Sequence, residues 1–501
     1  MNGLDRRRFL AWLGTGALGA AAAFSARGEA LADSGATALT NVNLIDGTGA
    51  APRRGMTVVV GGGRILAVGR PSAVPDIAGL RVIDCTGKHL LPGLWDLHAH
   101  ESVLERTFPP LHLVHGVTAI REMSATPATH LVRERIERGE LAGPRMVIAS
   151  RVVDGPSSRV ADSVRVATPA EAREAVALAK RENADLLKVY SFFEKEGFRA
   201  VASEAARQGL PFGGHTPSLL PVQRVLELGQ HSVEHMYGLH LATSAESARY
   251  YERIAALPGD PADENWWGSV VPFLERESID SYRAANTRAL AGRFRAHEAW
   301  HVPTLAVEHR YSTPPALLPE DPGLRALAER FLPRSVRQAW EELAKAWPPW
   351  SPERTELEAR YFEAKLELVG DLAGAEGNIG AGTDCGYGYV FPGLALHDEL
   401  ELLVRAGLPA HRALLAATRD AARCAGLGAE SGTIEPGKLA DLLVLDADPL
   451  ADIRNTRCIH AVVARGEVLG PRARQRLFAA IEQAAREEVA APVMRACCSR
   501  V

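Results

Sequence analysis

Two textures share the chain. From Leu39 to about Leu90, short apolar runs are cut by glycines: Asn43-Leu44-Ile45-Asp46-Gly47, Met56 to Val60, Gly61-Gly62-Gly63, then Arg64 to Gly69. Runs of that length, broken by turn residues, predict a β-hairpin that Val82-Ile83-Asp84 and Lys88-His89-Leu90 continue. The texture returns near the far end, in Ala440-Asp441-Leu442-Leu443-Val444-Leu445-Asp446 and in Ile459 to Ala464 before Arg465-Gly466. Two β-rich pieces around a long middle predict one small composite β domain, residues 36–90 with 425–475. A helix and tail over 476–501 would follow.

The middle alternates. Candidate strands are Leu94–His98, Val117–Glu122, Arg145–Ala149, Asp185–Tyr190, Pro211–His215, Ser232–His235, Val302–Val307 and Ile379–Asp384. Amphipathic helices lie between them, such as Pro169–Asn183, for which Thr168-Pro169-Ala170-Glu171 is a suitable start. Alternation implies parallel strands, because a parallel pair needs a crossover, and eight of them close a barrel. The predicted fold is α/β: a (β/α)8 TIM barrel over 91–424. An open doubly wound sheet is the rival, weakened because no Gly-rich phosphate loop follows the first strand. Residues 236–378 break the rhythm with a Trp-, Pro- and Arg-rich stretch holding Trp266-Trp267 and Trp347-Pro348-Pro349-Trp350. It predicts a mainly helical insertion, about 240–375, with helices at Ser335–Ala346 and Glu353–Ala373. That insertion is either added packing or a lid whose aromatics shape a pocket.

Composition changes this picture little. The 501 residues are 47% hydrophobic and 24% charged, with a formal net charge of −4. That balance gives no reason to expect nucleic acid or an anionic membrane as partner; a small-molecule substrate is the expected partner, with a homo-oligomer left open. The six cysteines are scattered without a CxxC pair, the wrong pattern for a disulfide scaffold or a Cys-type zinc site. Cys497 and Cys498 receive no role. The first 35 residues read as an address. Arg6-Arg7-Arg8-Phe9-Leu10 fits a twin-arginine pattern, Ala11 to Ala26 is apolar, and Ala30-Leu31-Ala32 offers a cleavage site. The apolar run falls short of the roughly 20 residues needed to span a bilayer. A cleaved export signal is therefore expected, with a periplasmic or secreted product and no stable membrane insertion afterwards.

Candidate chemistry sits at the ends of the predicted strands. His98 and His100 stand at i and i+2, so both point one way and can meet one metal. Lys188 lies inside the apolar run Asp185–Tyr190, where an ammonium group is costly to bury. It either pairs with a carboxylate, reaches solvent, or reacts with carbon dioxide to give an anionic carbamate able to bridge two metals. His215, His235 and Asp384 end the fifth, sixth and eighth strands. Catalytic groups of such barrels occupy the carboxyl ends of strands, where all six residues fall. Asp96 could support a ligand. His301 is expected to precede the seventh strand and to be structural, and His112, His115 and His130 to lack a role.

This ordered set resembles the amidohydrolase superfamily, in particular its imidazolonepropionase-like and Xaa-Pro-dipeptidase-like branch. Supporting segments are Leu91-Pro92-Gly93-Leu94-Trp95-Asp96-Leu97-His98-Ala99-His100, Gly116-Val117-Thr118-Ala119-Ile120-Arg121-Glu122, Ala416-Ala417-Thr418, and Gly432 to Leu442. The likeness spans roughly residues 38 to 470, and the family's split β-sandwich agrees with the two flanking β pieces. It departs at Arg121-Glu122, where Arg-Asp is commoner, at Asp154 to Ser158, which lacks a histidine seen in several relatives, and in the long insertion. The resemblance implies two divalent metal ions. His98, His100 and Asp384 would bind the more buried one and His215 and His235 the other, with Lys188, as N6-carboxylysine, bridging. Zn²⁺ suits such ligands, with Mn²⁺, Co²⁺ or Fe²⁺ as alternatives. The implied reaction is hydrolysis of an amide or peptide bond in a dipeptide or N-acyl amino acid by a metal-bridging hydroxide, with Asp384 moving the proton. Tyr190, Tyr237 and His240 are candidate substrate contacts. A cyclic amide, lactone or phosphoester is the alternative substrate; Lys188 argues against a mononuclear deaminase, and the complete ligand set against a non-catalytic relative.

Overall fold

Both ends of the chain build one sheet. The computed structural model describes residues 35–100, 104–158, 160–257, 264–386 and 388–487. The export-signal reading of Arg6 to Ala32, Cys497 and Cys498 lie outside the described residues, as do the side chains of Trp266 and Trp267. Strands β1 (Thr37–Leu44), β2 (Arg53–Gly61), β3 (Arg64–Gly69), β4 (Arg81–Asp84) and β5 (His89–Pro92) come first. The chain then runs through β6 (Leu94–Ala99), β7 (Val117–Glu122), β8 (Arg145–Asp154), β9 (Val164–Arg165), β10 (Leu186–Val189), β11 (Phe212–Gly214), β12 (Ser232–Glu234) and β13 (Trp300–Val302). It returns with β14 (Leu442–Leu445), β15 (Ile459–Ala464) and β16 (Glu467–Leu469). The composite sheet has the order β16-β15-β14-β5-β1-β2-β3, with β4 beside β1. Its unbroken apolar runs are explained by burial on both faces. Leu90, Leu442, Val444, Ala461 and Val463 enter the sheet's own core. Their neighbours Leu91, Leu443, Leu445 and Val462 pack into the barrel's core.

The second sheet runs β13-β12-β11-β10-β8-β7-β6, with every adjacent pair parallel. Residues 378–385 close it. The Gly380 amide donates to the His301 carbonyl, and the Leu97 amide donates to the Ala381 carbonyl. Isolated parallel bridges join Ile379 to His301 and Cys385 to Ala99. This is the expected (β/α)8 barrel, with an eighth strand reduced to bridges. Helix Pro169–Arg181 begins where expected: the Glu171 amide donates to Thr168 Oγ1, and the Thr168 amide to Glu171 Oε2.

One strand needs correction. The run Val302–Val307 is not a strand: β13 ends at Val302, Thr304 turns left-handed at φ 50°, and a helix occupies Leu305–Tyr311. Glu399 Oε2 accepts the Ala306 amide and so caps that helix. His301 consequently lies within β13 rather than before it. It is buried, with Nε2 against the His235 carbonyl at 2.9 Å, a structural position. The last helix starts at Pro471, earlier than expected.

The insertion is mainly helical, including Arg334–Ala346 and Pro352–Gly374. Trp340 packs against Tyr389 and Phe391 from the closing segment's loop, and the same cluster holds Leu104 from the loop after β6 and Phe108 at the start of the helix that follows it. The inserted helices thus sit against the loops at the carboxyl ends of the first and last strands. Among the described residues no helix is long and apolar enough to cross a membrane.

Candidate metal centre

Strand geometry brings the predicted residues together. Lys188 Nζ on β10 lies 3.5 Å from His98 Nε2 on β6. Asp384 Oδ1 is 3.0 Å from His100 Nε2 and 3.5 Å from His98 Nε2. Ring centroids are 4.6 Å apart for His98 and His235 and 4.8 Å for His215 and His235. His98, Lys188, His215, His235 and Asp384 are buried, while His100 keeps 17% of its side chain exposed and marks the open side.

The backbone is bent to this end. His235 and Asp384, each just beyond a strand end, adopt φ of 60° and 58°. Such non-glycine conformations cost about 1 kcal/mol or more each and persist where their surroundings fix them. Gly213 and Gly214 lead to His215 because nothing larger fits: a Cβ would sit 2.3 Å from Ser232 Oγ at Gly213 and 2.1 Å from the Val189 carbonyl oxygen at Gly214.

Three of the histidines are held from behind through Nδ1. His98 Nδ1 lies 2.9 Å from Glu234 Oε2, His215 Nδ1 2.7 Å from Ser191 Oγ, and His235 Nδ1 2.7 Å from Thr304 Oγ1. Each engaged Nδ1 leaves Nε2 for the centre. One ligand atom each from His98, His235 and Asp384 lies within 4.8 Å of the others. Imidazole and carboxylate donors converging in this way fit a divalent cation such as zinc. Burial, with Lys188 and the other histidines nearby, pushes the His98 ring well below its usual range, and burial takes His235 down to about 4. Neutral imidazole is the form that binds metal. Burial alone would raise Asp384. The hydrogen bond to His100 and the nearby His235 and Lys188 outweigh it and hold the carboxyl at about 2.

Lys188 is fully buried, with Nζ 3.5 Å from His98 Nε2 and its charge near the carboxylate of Asp384. Asp96 Oδ1 accepts the amides of His98 and Thr383, and Thr383 Oγ1 donates to Asp96 Oδ2. It stitches together the two segments that carry His98 and Asp384. Tyr190 stacks on His215 at 3.9 Å, and Tyr237 lies 4.7 Å from the same ring. His240 is buried against Tyr361, with ring centroids 5.3 Å apart.

Sequence reasoning missed the layer beneath. Arg121 Nη2 donates to Glu234 Oε1 at 2.6 Å, Nη1 to Ser232 Oγ, and Nε to the Leu97 carbonyl. Both members of the pair are buried. The signal was available: Arg121, like Lys188, is a charge inside an apolar strand and requires a partner.

Comparison with known proteins follows the same line. A model described as the amidohydrolase family matches residues 355–469. The imidazolonepropionase of Methylobacterium sp. (strain 4-46) is 27% identical over 429 residues, 81% of this chain and 91% of that protein. The imidazolonepropionase of Acidiphilium cryptum is 25% identical over 429 residues, covering 81% of this chain and 92% of the relative. A crystal structure of a protein provisionally assigned as a prolidase from Bifidobacterium longum is similar at TM-score 0.61 and 26% identity, covering 90% of this chain and 98% of that one. A bottromycin amidohydrolase shares the fold at TM-score 0.67 and 24% identity, over 95% of each chain.

Proposed function

We propose that this chain is an amidohydrolase-superfamily hydrolase of carbon–nitrogen bonds, a reading supported by the family match and the similar proteins, and that it cleaves the amide of a dipeptide or N-acyl amino acid at a dinuclear metal centre. The observation carrying this reading is the approach of Lys188 Nζ to His98 Nε2 inside a ring of His100, His215, His235 and Asp384. His98, His100 and Asp384 would hold one ion and His215 and His235 the other, with carboxylated Lys188 between them. Zinc is the preferred ion. Two bound cations supply Lewis acidity and an ionised water near neutral pH.

The protein's own groups do the rest. Asp384 takes the proton of the attacking water on its carboxylate and delivers it to the leaving nitrogen. Its lowered pKa keeps Asp384 ionised at neutral pH. Tyr190 and Tyr237, flanking His215, orient the substrate, and His240 lines the outer pocket. The inserted helices form the pocket's rim, and the twin-arginine pattern supports export of the folded enzyme.

The test is metal analysis of protein purified without added metal, followed by a library of dipeptides and N-acyl amino acids. Two ions per chain with amide hydrolysis are expected. A single tightly held ion, or two ions with no amide cleaved, overturns the reading. A second reading changes the bond to that of a cyclic amide, favoured by the imidazolonepropionase relatives. Cyclic amides in the same library distinguish the two.

A further inference from the structure

The four histidines of the centre are backed by two different chemistries. His98 Nδ1 meets the buried carboxylate of Glu234 at 2.9 Å, and His100 Nδ1 lies 3.5 Å from the buried carboxylate of Glu122. His215 and His235 instead meet the hydroxyls of Ser191 and Thr304, both at 2.7 Å. An ionised carboxylate only accepts, so Glu234 fixes His98 as the tautomer protonated at Nδ1 and lends the ring electron density. A hydroxyl donates or accepts, so Ser191 and Thr304 leave the tautomer open and bring no charge. The carboxylate-backed pair lies at the end of β6, where Asp384 of the closing segment contacts both rings, whereas His215 and His235 follow the adjacent strands β11 and β12.

We propose that the two metal positions differ in affinity. The position of His98, His100 and Asp384 fills first and releases its ion slowly, while that of His215 and His235 fills second and exchanges with free metal. Two carboxylates raise the donor strength of the first position, and outer partners of metal-bound histidine typically change affinity about 10- to 100-fold. The Arg121 guanidinium neutralises part of the Glu234 charge, so Glu122 carries much of the difference between the two positions. This inference rests on the dinuclear reading above.

The experiment is zinc titration of the full-length apo-protein against a competing chromogenic chelator, with the thermal midpoint of the apo form recorded alongside. Wild type is expected to release one equivalent readily and a second only at about tenfold or more higher chelator. Glu122→Gln, which keeps a polar side chain in place, is expected to weaken the tight equivalent alone. Ser191→Ala is expected to weaken the loose one alone. Two equivalents released together, or both variants shifting both equivalents alike, overturn the affinity difference and leave the dinuclear reading standing. One equivalent in total overturns both.

Discussion

Around β6, β7 and β12, buried charge is woven through the barrel: Arg121 holds Glu234, Glu234 holds His98, and Asp96 ties β6 to the closing segment. The insertion between β12 and residue 378 joins the barrel differently. Trp340, Tyr389 and Phe391 make an apolar contact, and the pair Lys365–Glu308 links helix Pro352–Gly374 to the helix after β13. The barrel's buried hydrogen bonds are aimed at the candidate metal ligands, whereas those of the insertion, such as Lys365–Glu308 and Arg276–Glu358, tie its own helices to one another. Chemistry and substrate choice should therefore respond to different substitutions.

The largest effect is expected at the centre. Asp384→Asn should lower kcat by about 10²- to 10⁴-fold with little change in KM, measured on variant protein confirmed to hold metal. Near-wild-type turnover would remove Asp384 from proton transfer. Next comes Arg121→Met, which strands the Glu234 charge in the barrel. It should cost about 3–5 kcal/mol in urea unfolding, and a cost below 1 kcal/mol would mean the pair is not the anchor described here. Trp340→Ala should destabilise by about 3 kcal/mol and shift KM between long and short substrates more than kcat. An equal fall in kcat for all substrates would erase the contrast between barrel and insertion. Tyr237→Phe should raise KM roughly fivefold, the worth of one hydrogen bond; unchanged kinetics would assign the ring to packing. Smallest of all, Arg360→Ala breaks an exposed ion pair with Asp280 and should move stability by no more than about 0.5 kcal/mol.

The sequence made the barrel readable because a candidate ligand marks so many of its strands. His98, His215, His235 and Asp384 each follow or terminate an apolar run and Lys188 interrupts one, so the polar residues punctuate the fold. β13 carries no such marker. Val302 to Val307 is a short apolar run, and periodicity cannot separate strand from buried helix at that length. The helix is decided by Glu399, 93 positions from the Ala306 amide it caps. Glu234 escaped notice for a similar reason. Its partner Arg121 lies 113 positions away, and only the closed barrel brings them within 2.6 Å. Thr304 and Ser191, the hydroxyls behind two histidines, carry no pattern of their own, since such residues are common at turns.

The centre depends most on the chemical state of Lys188. The direct measurement is ¹³C NMR of full-length protein loaded with zinc in ¹³C-bicarbonate, beside Lys188→Ala treated identically. A carbamate carbonyl resonance in wild type, missing from the variant, is the expected result. A metal-loaded, active wild type with no such resonance would contradict the account.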